Sequence, residues 1–291
     1  HAADAYARAT GELGVCIVTA GPGFTNAFTA IANAKLDASP VLFIVGAPPL
    51  REIETNPLQG GIDQVAAARP VAKWAFSIPS TERIPDLSAM AIRKALTAPC
   101  GPVLLELPID VLHMSVSEST ATKPTGVLVR PRPAPSQDET AQLAAMLRAA
   151  KRPAIIAGME TSNTATAEAL RALATRLNLP VFCKGQAAGV LPTGHACDGG
   201  GAGNLAVLPM IGVERPDLVI LLGARMGLLL GGRSGAIVPD DAVVAQIHSD
   251  GGEIGRIRNV DLGIAANAAE TVKALSAELD KGAPLDFSDW R

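Results

Sequence analysis

The string Ala20-Gly21-Pro22-Gly23-Phe24-Thr25-Asn26 is the first place where residue type and spacing admit chemistry. Gly21 and Gly23 carry no Cβ, so a ligand can approach the backbone, and Pro22 stiffens the turn. An apolar run precedes the string and a helical pattern follows it, so a helix start offers its N–H groups there. The spacing is neither G-x-G-x-x-G nor a phosphate loop, because no Gly-Lys-Ser/Thr follows. Two readings stand: an ordinary tight strand-to-helix turn, or a cradle for a ligand. Gln59 sits in the long segment APPLREIETNPLQGGIDQ. Its amide both donates and accepts, and loops of that length tend to be functional; the alternative is a solvated loop glutamine. Further along, Gly158, Gly223-Ala224-Arg225 and Ser249-Asp250 lie at the ends of apolar runs, and Gly199-Gly200-Gly201 lies between two of them. Together they resemble the rim of a nucleotide site. Arg225 suits a phosphate and Asp250 a ribose hydroxyl. The alternative is that these glycines serve turns in a structural domain. His195 and Cys197 are too few for a zinc site. Glu106 and Asp110 flank Pro108 and read as a strand-exit pair facing solvent or an interface rather than as catalytic acids.

These loops need elements to hold them. Apolar runs at Gly14–Ala20, Val41–Gly46 and Pro102–Leu107 alternate with helical patterns near Thr25–Leu36 and Thr81–Ala98. Runs of this kind suit strands buried on both faces, and the alternation makes them parallel. The segment Ser115–Gln137 holds four prolines and many Ser/Thr residues, and reads as a linker. The pattern then restarts with a helix over Asp138–Ala150, capped by Ser136. Strands follow at Ala154–Gly158, Val181–Cys183, Leu218–Gly223 and Ala242–Ile247, with helices at Ala165–Leu177 and Ala268–Leu279. The expected fold class is α/β: two doubly wound domains with mainly parallel sheets, at 1–115 and 138–291, joined by a Pro-rich linker at 116–137.

Composition bounds the function. Of 291 residues 48% are hydrophobic, which excludes disorder as the default, and the net charge of −3 argues against nucleic-acid binding. The best candidate for a membrane span, Leu218–Leu230, is broken by Arg225 and is shorter than the ~18 residues needed. The four cysteines form no C-x-x-C pair, so reduced thiols and a cytoplasmic location are expected.

The opening string HAADAYARATGELGVCIVTAGPGFTNAFTAIANAKLDASPVLFIVG resembles the pyrimidine-binding domain of thiamine-diphosphate-dependent enzymes. The group is the one that contains acetolactate synthase, benzaldehyde lyase and 2-hydroxyacyl-CoA lyase. The carriers are A-x-x-Y-A-R-x-T-G, G-P-G-x-T-N and G-P-V-L-L-E-L-P-x-D. The second half resembles the central domain of the same family through Leu222-Gly223-Ala224-Arg225 and the stretch Ser249–Gly255. ETNPLQGGIDQVAAARPVAKWA, LGARMGLLLGGRSGAIVP and GRIRNVDLGIAA lean toward benzaldehyde lyase, and Met226-Gly227-Leu228 departs from the F-D-D-R stretch of acetolactate synthases.

The resemblance implies that Gly21, Pro22, Gly23 and Asn26 lie beside the aminopyrimidine half of thiamine diphosphate. It makes Gln59 the glutamine that projects into the catalytic cavity. Gly158, Gly223, Arg225 and Asp250 match positions near FAD in acetolactate synthases; benzaldehyde lyase-like proteins have no flavin, which argues against FAD here. The family's essential glutamate is expected just ahead of His1, and the domain that holds Mg²⁺ and the diphosphate after Arg291. No metal ligand is expected within the chain. The reading is therefore a fragment, inactive alone, of a carbon–carbon lyase or carboligase that assembles as a homodimer or homotetramer. Its substrates would be 2-oxo acids, aldehydes or 2-hydroxy ketones. The alternative within the family is an acetolactate synthase-like enzyme with FAD in the central domain. Outside that chemistry stand a flavin- or nucleotide-binding module and a non-catalytic remnant kept for assembly.

Overall fold

A computed structural model describes residues 1–55, 59, 61–121, 124 and 131–291. Residues 122, 123 and 125–130 of the expected linker, and part of the loop before Gln59, lie outside the described residues. The chain divides into two compact units, His1–Pro131 and Arg132–Arg291.

In the first unit, α1 (Ala2–Thr10), β1 (Gly14–Val18), α2 (Pro22–Leu36) and β2 (Val41–Ala47) come first. Then follow α3 (Gln64–Ala68), β3 (Trp74–Ser77), α4 (Ile84–Leu96), β4 (Val103–Pro108) and α5 (Ile109–His113). The sheet order is β1-β2-β4-β3 and every pairing is parallel. Alternation along the strands splits the core into two layers. Val41, Phe43, Val45 and Leu104 pack with Phe24, Ala27 and Ile31 of α2. Leu42, Val103 and Leu105 face the other way, onto Leu87, Ala91 and Ala95 of α4. The α2 stripe is mostly alanine, which lets that helix lie close to the sheet. β1 is an edge strand, and its Val15 and Ile17 stay exposed.

In the second unit, α6 (Gln137–Ala149), β5 (Pro153–Ala157), α7 (Thr164–Leu177), β6 (Val181–Cys183) and β7 (Asp198–Gly201) precede β8 (Leu218–Leu222). β9 (Val243–Ile247), β10 (Leu262–Ile264) and α8 (Ala268–Leu279) complete it. The sheet order is β10-β9-β8-β5-β6-β7, again all parallel. Counted from β5, this is the strand order of dinucleotide-binding folds, with the switch point between β5 and β8. One face packs on α6, α7 and α8 through Leu143, Leu147, Leu170, Leu173, Val272 and Leu275. The other face is covered by short 3₁₀ turns and loops, through Ala202, Leu205, Met226, Leu230 and Val238. This departs from the helix-covered face expected of a doubly wound domain. The covering segments carry Pro209 and glycines at positive φ (Gly212, Gly231, Gly232, Gly235), which deny a long helix.

α6 begins one residue before its expected start. Ser136 forms a full capping box with Glu139. Ser136→Ala should lower stability by about 1 kcal/mol, read from the denaturant midpoint. Among the described residues no helix is long and apolar enough to cross a membrane.

Candidate functional site

Open α/β sheets present ligands to the loops beyond the carboxyl ends of their strands. In the first unit that end of β1 is the Gly21 turn. Gly21 is the N-cap of α2 at φ 59°, ψ −109°, and Pro22 follows as the first helical residue. That fixed φ is preorganised for a helix start. A Cβ on Gly21 would lie 2.0 Å from the carbonyl oxygen of Gln59. The backbone of Gln59, itself at φ 51°, therefore rests directly on the turn. The Thr19 hydroxyl donates to Gln59 Oε1 at 3.0 Å. The fold thus brings the Gly21–Gly23 turn and Gln59 together across the sequence. Asn26, the fifth residue of α2, is exposed near the same end of β1.

One residue that the sequence reading missed ties this rim together. Asp63 caps α3 by accepting from the Ala66 N–H, which sets Gln64 as the first helical residue. The Gln64 side chain is 1% exposed. Its Oε1 accepts from the Gly21 N–H at 2.9 Å, and its Nε2 donates to the Gly46 carbonyl at 2.9 Å and to Glu106 Oε1 at 2.8 Å. One amide therefore joins the ends of β1, β2 and β4. Glu106, half-buried, thus meets this amide inside the unit, a partner that the reading of it as facing solvent or an interface did not include. Asp110 accepts from the backbone N–H groups of Leu50, Arg51 and Val111. Desolvation pushes its carboxyl up, but those N–H groups prevail and hold it below the ordinary carboxylate range. It clamps the segment that leads away from β2.

In the second unit the expected residues gather at the β5–β8 switch point. A Cβ on Gly158 would lie 2.2 Å from the Gly223 oxygen, so the two backbones touch. Glu160 projects into this region. Its carboxylate accepts from the Ser249 N–H at 3.1 and 3.2 Å and from the Ser249 hydroxyl in a very short bond. Buried His248 lies 3.8 Å from it through Nε2, and its Nδ1 accepts from the Asp250 N–H. Arg225 donates to the Met159 sulfur at 3.0 Å, and Asp250 caps the Gly252 N–H. Lys184 donates to the Arg225 carbonyl, and burial, helped by the Arg225 charge, lowers its pKa. The N-terminus of α7 is capped by Asn163. Gln246, fully buried, donates to the Ala224 and Glu253 carbonyls and accepts from the Gly255 N–H. It ties the ends of β8 and β9 to the next loop much as Gln64 ties the first unit.

The side chains of His195 and Cys197 are each engaged by their neighbours, Cys197 through the Ala174 carbonyl. Both ring nitrogens of His195 are engaged, by the Cys197 N–H and the Thr175 hydroxyl. Burial pushes the Cys183 and Cys197 thiols up, away from the reactive thiolate. Among the described residues, no group of three or more His, Cys, Asp and Glu could hold a metal ion.

A family model described as "Thiamine pyrophosphate enzyme, N-terminal TPP binding domain" matches residues 1–67. One described as "Thiamine pyrophosphate enzyme, central domain" matches residues 140–275. The chain is similar to the acetolactate synthase large subunit of Corynebacterium glutamicum, at 32% identity over 100% of this chain and 46% of that protein. The acetolactate synthase large subunit of Lactococcus lactis is 31% identical over 100% of this chain and 50% of its own length. A probable acetolactate synthase large subunit of Methanocaldococcus jannaschii is 31% identical over 100% and 49%. The chain thus spans about half the length of the curated relatives it matches.

Proposed function

Because this chain belongs to the thiamine pyrophosphate enzyme family, we propose that its first unit forms the aminopyrimidine side of a thiamine diphosphate site in a carboligase acting on 2-oxo acids. The observation that carries this reading is the contact between the Gly21 turn and Gln59, which places an exposed neutral amide beside a backbone turn. The donor set suits the group. The amides of Gln59 and Asn26 offer both donors and acceptors, as a ring with amino and imine nitrogens requires, and neither brings a charge.

When bound, thiamine diphosphate supplies the nucleophilic carbon and electron sink for making or breaking a carbon–carbon bond beside a carbonyl. The residues of this chain bind and orient. Gly21, Pro22 and Gly23 hold the backbone of the turn, Asn26 stands on the helix behind it, and Gln59, oriented by Thr19, donates to or accepts from an oxygen of the reacting molecule.

The leaning toward benzaldehyde lyase draws no support from the relatives, which carry the acetolactate synthase name. The acetolactate synthase alternative is therefore the reading proposed here, with pyruvate as the first substrate to try. Its flavin is not part of the proposal. The Gly158 and Gly223 N–H groups bond to the Leu222 and Ile247 carbonyls, Arg225 bonds to Met159 and Asp250 to Gly252, and the Glu160 carboxylate, bonded to Ser249, puts a negative charge at this strand end. That arrangement does not fit a dinucleotide diphosphate, and no step is derived through a flavin.

The test uses the full-length protein that carries this chain, supplied with thiamine diphosphate and Mg²⁺. Acetolactate formation from pyruvate is expected, and Gln59→Ala should lower kcat/KM by about 100-fold with the thermal midpoint unchanged. Benzaldehyde release from benzoin without acetolactate formation would overturn the choice of substrate class. Absence of any thiamine diphosphate binding would overturn the family-level mechanism for this protein.

A further inference from the structure

We infer that Gln64 is a positioning residue: its buried amide sets the conformation of the Gly21 turn before any ligand arrives, and couples that turn to Glu106. The inference rests on the reading of the first unit as a cofactor site. Gln64 does not touch the outside, being 1% exposed. Among the described residues, its side-chain hydrogen bonds go to the ends of neighbouring strands: Gly21 after β1, Gly46 in β2 and Glu106 in β4. The Gly21 N–H is the most demanding of these partners. Gly21 is buried and has a backbone conformation that residues other than glycine rarely adopt. A buried N–H without a partner costs about as much as a lost hydrogen bond. The Gln64 oxygen removes that cost and selects this turn over its alternatives. The two Nε2 donors leave the amide one orientation only, because a flipped amide would set its oxygen against the Gly46 carbonyl and the Glu106 carboxylate. Gln64 thus holds its acceptor toward Gly21 by what its donors meet on the other side.

Two substitutions separate positioning from mere packing. Gln64→Met keeps the volume and removes all three bonds. Gln64→Glu keeps an acceptor for Gly21 but puts oxygen against the Gly46 carbonyl and a second carboxylate against Glu106. Two adjacent carboxylates raise each other's affinity for a proton, so acidification restores a donor at position 64. In the full-length protein with Mg²⁺, both variants should bind thiamine diphosphate about tenfold more weakly than the wild type at neutral pH. The Gln64→Glu deficit should shrink as pH falls, whereas the Gln64→Met deficit should not. A residue that only fills space would shift the thermal midpoint and leave the Gln64→Glu to wild-type affinity ratio flat with pH; that result overturns the inference.

A measurement on the wild type covers the case in which the variants do not fold. Amide exchange at Gly21 should be slowed at least about 100-fold without ligand, since the N–H is already bonded. Exchange at the unprotected rate overturns the preset turn whatever the variants do. If the wild type binds no thiamine diphosphate, the functional reading and the positioning role fall together. If it binds and both variants bind equally well, the role of Gln64 alone falls.

Discussion

Gly21→Ala should abolish most thiamine diphosphate affinity, by about 100-fold or more, while leaving the first unit folded. The reason lies in two separate costs. At φ 59°, ψ −109° the residue sits outside even the left-handed helical region that asparagine tolerates, and strain of that kind costs on the order of 1–3 kcal/mol. The added methyl would also lie 2.0 Å from the Gln59 carbonyl oxygen and 3.0 Å from its carbon. Neither atom is the end of a flexible side chain, so the segment at Gln59 must move. The cheapest relief lifts Gln59 off the turn and breaks its bond with Thr19. That relief spares the core, because Phe24, Ile31 and the strands lie behind the turn and not in it. Calorimetric titration of the full-length protein, paired with thermal unfolding, measures both parts. Wild-type affinity in a folded Gly21→Ala protein would show that the turn has no part in the site.

Gly158→Ala should act differently: a loss of about 3 kcal/mol or more in the second unit, from packing alone. The backbone of Gly158 has φ −109°, which any residue adopts, so strain is no part of it. The new methyl would meet the Gly223 oxygen at 2.2 Å, the Ala224 Cα at 2.3 Å and the Ala224 nitrogen at 2.6 Å. All three are main-chain atoms at the centre of a six-stranded sheet. They are pinned by the bonds from the Gly158 N–H to Leu222 and from the Gly223 N–H to Ile247. Nothing nearby can rotate away, so β5 and β8 must part at their ends. The two tryptophans allow the effect to be localised. Trp74 lies in β3 and Trp290 donates to the Pro153 carbonyl at the start of β5, so each reports on one unit. In a Trp74→Phe background, denaturant unfolding followed by Trp290 fluorescence should shift its midpoint down on Gly158→Ala. An unchanged midpoint would refute the steric argument.

How far the sequence reveals this fold depends on the strand. The inner strands β2, β5 and β8 are unbroken apolar runs because both faces are covered, and β4 and β9 are apolar runs interrupted by Glu106 and Gln246; each is legible as a strand. β3, β7 and β10 are not. They close the edges of their sheets, with sequences WAFS, DGGG and LGI that carry no run and hardly a pattern. What defines them is the backbone of a neighbour, which the sequence does not display. The helices α3 and α5 are five residues each, too short for a period to show. The site divides the same way. The Gly21 turn announces itself because glycine and proline have local conformational meaning. Gln64 carries no such mark: a polar residue beside Asp63 reads as surface, and only the fold shows it buried beneath three strand ends. Glu160 is similar, since its partners Ser249 and His248 lie nearly ninety residues away.

The two buried glutamines, one in each unit, have a consequence for working conditions. Both join strand-end loops through a neutral amide, and of their six hydrogen-bond partners only Glu106 carries charge. Screening by salt weakens exposed ion pairs beyond about 10 Å at 0.1 M and leaves buried dipolar bonds nearly untouched. The part of the loop geometry that these two amides hold is therefore expected to change little with ionic strength. The Arg256–Glu253 pair in the loop after β9 is exposed on its arginine side, so there salt acts on an ion pair while the buried amide beside it keeps its bonds.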